Sequence, residues 1–120
     1  MRPTARPGPI EALARLVDRQ EAVLPVAIKE LMERGKKETH WIWWVFPTAK
    51  AGRHDPDGTF VTRETAPLLL QSRTIKAWRV VLELVVMAAS VYGFQAIPEE
   101  DWGRIRYFTK FWRKVGSKPE

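Results

Sequence analysis

The chain has 120 residues, the size of one domain, and its 45% hydrophobic content is enough for one core. It contains no cysteine, which excludes disulfides, thiolate metal sites and a cysteine nucleophile, and fits a reducing, cytoplasmic compartment. The net charge of +6 favours anionic partners, although acidic residues are interspersed with the basic ones and a charge of this size also serves solubility.

Residues 1–9 read as a flexible lead, because their arginines and prolines are not followed by the apolar core of a secretory signal. Ile10 to Arg19 predicts a short helix with Ile10, Leu13, Leu16 and Val17 on one face. Leu24 to Arg34 predicts a second, with Pro25 in its first turn, where no N–H is required, and a stripe of Leu24, Ile28 and Leu31 or Met32. Gly35 suits the position after a helix, and Arg34, Lys36 and Lys37 suit its negative end.

Trp41 to Phe46 has no clean period and reads as a short buried helix or strand, ended by Pro47. An extended segment would put Trp41 and Trp43 on one face; a helix would put Trp41 and Trp44 together. Thr48 to Val61 is a loop, marked by Ala51-Gly52, Asp55-Pro56 and Asp57-Gly58. Thr62 or Thr65 can cap a short helix through Gln71, with Pro67 in its first turn.

Ser72 can cap the next helix, which runs to Tyr92 and ends at Gly93. Ile75, Trp78, Leu82, Val85, Ala89 and Tyr92 form one stripe, and further apolar residues fill most of the rest, which predicts burial on nearly all sides. The longest apolar run, Leu84 to Val91, is far short of the roughly 20 residues that span a bilayer. The last helix is expected from Pro98 to about Lys114, with acidic residues in its first turn and basic ones in its last, and 116–120 reads as a flexible tail. The sum is an all-α fold: a single small domain over 10–115, of about five to six helices packed around a central, nearly all-apolar helix (72–92).

The segment Gly35-Lys-Lys-Glu-Thr-His-Trp-Ile-Trp-Trp-Val-Phe-Pro47 holds three of the six tryptophans and one of the two histidines. Its pattern of Gly-basic-basic, Thr-His-Trp-x-Trp and Phe-Pro resembles the hallmark of DUF1810, a family of unknown function. Leu16-Val-Asp-Arg-Gln20 is similar to the family's opening helix, and Ala66 through Arg79, more loosely, to its later ones. Trp102-Gly-Arg-Ile-Arg-Tyr-Phe-Thr-Lys-Phe-Trp112 resembles the ending of an algal or viral branch, whereas the loop after Pro47 departs from the bacterial pattern. The resemblance implies an all-α fold with a central helix and no established activity. It extends distantly to proteins acting on ADP-ribose-like or N-glycosidic substrates, from which no residue can be carried over.

His40 is a candidate acid/base or phosphate-binding group, set against the alternative of a histidine that orients its loop. Lys36, Lys37 and Arg53 could gather around an anion, against a solvated helix end and a charged loop. Trp41, Trp43 and Trp44 could stack a base or ring, against a hydrophobic core anchor for at least two of them. Glu83 is the one charge between Val80 and Tyr92, so it is a candidate acid if desolvated, against a salt bridge or plain exposure. Arg104 and Arg106 could complete a pocket or form structural ion pairs. No phosphate-binding glycine loop, dinucleotide fingerprint, zinc-protease helix, serine-hydrolase elbow or calcium loop is present, so no metal or cofactor is expected and whether the chain is an enzyme stays open. The leading expectation is a pocket for an anionic, nucleotide-like small molecule. The rival is an interaction module whose apolar patch would include Trp102, Phe111 or Trp112. Nucleic acid ranks lowest, for want of a recognition motif, and no membrane partner is expected.

Overall fold

A computed structural model of the chain describes residues 8–49 and 59–116. Residues 1–7 and 117–120, most of the expected lead and tail, and residues 50–58, with Arg53, lie outside the described residues.

The first helix, α1, is one element from Pro9 to Arg34, not two. Ala12, Leu16, Val17, Gln20, Leu24, Ala27 and Leu31 make one unbroken buried stripe along it. Pro25 is exposed, and the carbonyl that loses its helical donor belongs to Glu21, also exposed. The cost of proline is thereby confined to the solvent side while the buried side stays continuous. The helix ends as expected: Gly35 has φ 69°, and its N–H donates to the Leu31 carbonyl at 2.9 Å.

The aromatic segment forms a single helical turn, α2, Ile42–Val45. Thr62 and Thr65 then close a reciprocal box: the Thr65 N–H donates to Thr62 Oγ1 at 3.2 Å, and the Thr62 N–H to Thr65 Oγ1 at 2.9 Å. This box introduces α3, Ala66–Leu69, which is shorter than expected.

Helix α4 spans Ile75–Tyr92 and stops at Gly93, φ 67°. It starts three residues past Ser72, whose hydroxyl donates to the Leu69 carbonyl at 2.7 Å and so closes the preceding turn. A 3-10 turn, Gly93–Ala96, leads to α5, Glu99–Gly116. Among the described residues there is no strand.

Helix α4 packs on α1, on α2 and on the 3-10 turn. It buries Trp78, Val81, Val85 and Ala88, while Val80, Val86, Met87 and Val91 are exposed. Burial on nearly all sides is therefore not found. Its neighbours cover one face, and apolar composition cannot supply a neighbour for the other.

Candidate functional site

The loop that follows α1 is organised by a residue the sequence did not single out, Glu30. Its Oε1 accepts hydrogen bonds from the backbone N–H of Glu38, from the Thr39 N–H at 2.9 Å and from Trp41 Nε1 at 3.0 Å. Its Oε2 accepts from the Thr39 hydroxyl at 2.6 Å. Partial burial works to raise the Glu30 pKa, but the donors from Thr39, Glu38 and Trp41 outweigh it and hold the carboxyl below its ordinary value. No spacing rule separates Glu30 from Glu33, three residues on; only the returning loop does.

Trp41 is fully buried, with its indole N–H satisfied by Glu30. Because the segment is helical, Trp44 shares its burial, while Trp43 is half-exposed. The exposed His40 ring lies 6.3 Å from Trp43 at an interplanar angle of 27°, and Trp43 meets Trp44 edge-on at 5.3 Å. The Arg19 guanidinium covers Trp44, 4.8 Å from the ring centroid. Among the described residues, Trp44 Nε1 is the one buried side-chain polar atom without a hydrogen-bond partner.

A helix leaves its last four carbonyls without an internal donor, and α2 is only four residues long. Here side chains from three other helices take four carbonyls in succession, the last two of α2 and the two that follow it. Gln20 Nε2 of α1 donates to the Trp44 carbonyl at 2.8 Å, and Trp78 Nε1 of α4 to that of Val45 at 2.7 Å. From α5, Arg104 Nε donates to the Phe46 carbonyl at 3.0 Å, and Trp112 Nε1 to that of Pro47 at 2.9 Å. The Val61 N–H donates to the carbonyl of Thr48 at 3.3 Å. This buried backbone run ties α1, α4 and α5 together beneath the exposed His40 and the half-exposed Trp43.

The expected site residues therefore separate. Lys37 is buried and paired with Asp101 of α5, Nζ to Oδ2 2.8 Å, with its ammonium 5.3 Å from the Trp41 ring centroid. Its N–H donates to the Ala96 carbonyl at 2.7 Å. Lys36, His40 and Arg106 are exposed, and Arg104 is half-buried against α2. Glu83 is exposed on α4, without the burial that motivated it as an acid. Trp102 and Trp112 are half-buried, their indole N–H groups donating to the Ile97 and Pro47 carbonyls, and Phe111 is buried. Among the described residues, no group of three acidic, histidine or cysteine side chains could hold a metal ion. Nor is any helix there long and apolar enough to cross a membrane.

No curated protein and no solved structure matches the chain. The model of the family described as Protein of unknown function (DUF1810) matches residues 10–62, from the start of α1 through the aromatic turn to Thr62. Over those residues the chain is similar to DUF1810 proteins, and what that family does is not established.

Proposed function

We propose that the loop after α1 binds an anionic, ring-bearing small molecule of nucleotide-like chemistry. The observation that carries this reading is the His40–Trp43 stack, left at the surface on a buried and hydrogen-bonded base. An exposed aromatic face offers stacking to a planar ring, and an imidazole beside it offers a donor to phosphate. Lys36, exposed in the same loop, adds a cation, and Arg53 and Arg106 are the remaining candidates. Lys37, Trp41 and Arg104 serve in this reading as supports that fix the loop. The reading is of binding and assigns no reaction. The absence of cysteine suits a cytoplasmic setting.

The test is a thermal-shift screen against nucleotides, ADP-ribose, NAD and simple phosphates, run on the wild type, His40→Ala and Trp43→Ala. A ligand at a hundred times its dissociation constant adds about 2.7 kcal/mol to the folded state. The expected result is a shift in the wild type that both variants lose. No shift with any compound, or a shift that both variants keep, would sink the reading. A second reading, an interaction module without catalysis, draws on the exposed apolar edge of α4, since the patch first expected at Trp102, Phe111 and Trp112 is largely turned inward.

A further inference from the structure

Arg19 and Trp44 carry two donors that the rest of the fold leaves unused. Trp44 is 8% exposed, and its indole Nε1 is closed to solvent without an acceptor. Four other indoles fare differently: Trp41 donates to Glu30, and Trp78, Trp102 and Trp112 donate to the Val45, Ile97 and Pro47 carbonyls. A buried donor left unpaired is costly, so the exception calls for a partner. The Arg19 guanidinium lies over this same ring, 4.8 Å from its centroid. It is exposed and, among the described residues, pairs with no carboxylate. One turn away along α1 stand Arg15, Leu16, Ala22 and Val23, so the helix supplies no acid to it either.

We infer that Arg19 and Trp44 Nε1 form the subsite for the ligand's anionic group, and that this group is a phosphate monoester. Both groups are donors and both lack an acceptor. A water molecule would satisfy the N–H alone, whereas the oxygens of an anion satisfy the N–H and neutralise the cation. The guanidinium sits over the ring face, while an indole N–H points out in the ring plane. A tetrahedral phosphate presents oxygens in both directions, which a planar carboxylate does less well. Trp43, which meets Trp44 at 5.3 Å, puts the ring-binding face one side chain away. That spacing suits a nucleoside monophosphate, whose phosphate is one sugar removed from its base. Because Nε1 is closed to solvent, side chains shift to admit the anion, and the exposed, unpaired Arg19 is free to do so. It gives up an exposed cation–π contact, which is weak beside charge-assisted hydrogen bonds to phosphate. The nucleotide class rests on the reading of the His40–Trp43 face as a ring-binding surface; the anion subsite stands on Arg19 and Trp44 by themselves.

The test is NMR of the indole N–H groups in isotope-labelled protein, where each of the six tryptophans gives one signal. The Trp44 signal is the one missing from Trp44→Phe, and the Trp43 signal the one missing from Trp43→Ala. Inorganic phosphate is expected to move the Trp44 signal downfield to saturation, while chloride at the same ionic strength leaves it in place. Arg19→Gln should weaken that titration about ten- to a hundredfold. Arg19 is exposed, so far-UV circular dichroism should confirm that this variant keeps its fold. AMP should move the Trp43 and Trp44 signals, and adenosine that of Trp43 alone. A Trp44 signal that neither phosphate nor AMP moves overturns the inference, and so does a shift that Arg19→Gln keeps in full. If adenosine leaves Trp43 unmoved while phosphate still moves Trp44, the ring-binding reading falls and the anion subsite stands. If adenosine moves Trp43 while phosphate and AMP leave Trp44 in place, the subsite alone falls.

Discussion

Glu30 shows how one carboxylate can set the path of a loop. Four donors converge on it, yet they do not weigh equally. Glu38 and Thr39 are exposed, so their groups turn to water if the carboxylate is removed. The Trp41 indole N–H belongs to a fully buried side chain and has no such recourse. Glu30→Ala should therefore cost about 1–3 kcal/mol in urea unfolding, the cost of one stranded buried donor rather than of four. The folded-state pKa of Glu30 is lowered, so its contribution to stability is fully present above the ordinary value of 4.5. It is lost as pH falls from there through the lowered pKa. The stability gap between the wild type and Glu30→Gln should accordingly be flat near neutrality and narrow in that acid window. A gap that widened on acidification would contradict the assignment.

At the scale of elements, α2 is too short to hold itself together. A lone helical turn is unfavourable to nucleate, and its terminal carbonyls would be buried without partners. Its stability is borrowed from Gln20, Trp78, Arg104 and Trp112. Gln20 is the most committed of these, because it is fully buried and also accepts from the Thr74 hydroxyl at 2.7 Å. Gln20→Leu strands the Trp44 carbonyl, whereas the Thr74 hydroxyl keeps the Ser72 hydroxyl at 3.1 Å, so the variant should cost about 1–3 kcal/mol. Gln20→Leu and Thr74→Val each remove the same Thr74-to-Gln20 hydrogen bond, so the double variant should be less destabilised than the two single costs added. Strict additivity would show that the two side chains are not coupled. A helix at Pro9–Arg34 illustrates the opposite balance. Local rules place Pro25 at a helix start, but the continuous buried stripe overrides them and the proline is carried on the exposed side.

For the whole molecule, Lys37 and Asp101 form an ion pair withdrawn from solvent, with side-chain exposures of 4% and 13%. It joins the motif loop to the first turn of α5, whose own side chains then hold the Phe46 and Pro47 carbonyls. The exposed Arg73 pairs with Asp18 and Glu21 are closer, at 2.6 Å, yet solvent screens them and they are worth little. Lys37→Met leaves a buried carboxylate uncompensated and should cost about 3–5 kcal/mol. The double variant Lys37→Met/Asp101→Leu should recover most of that loss. If it proved as unstable as the single variant, the buried charge would not be the cause.

Much of this architecture is legible in the residues themselves, because it depends on near neighbours in the chain. Gly35 and Gly93 end their helices with positive φ, the dipole-matched ends of α5 stand where the charges suggest, and the all-helical fold follows from the apolar periods. The motif that marks the family is equally visible as letters. Its division of labour is not. Which tryptophan turns inward depended on whether residues 41–46 were helical, and which distant side chains reach the carbonyls of residues 44–47 is something no sequence letter records. Glu30 and Lys37 acquire their roles from segments that return to meet them. The exposed edge of α4 follows from which of the described helices reach it and which do not. Local preference is encoded residue by residue, whereas burial and pairing belong to surfaces that exist only once distant parts of the chain have come together.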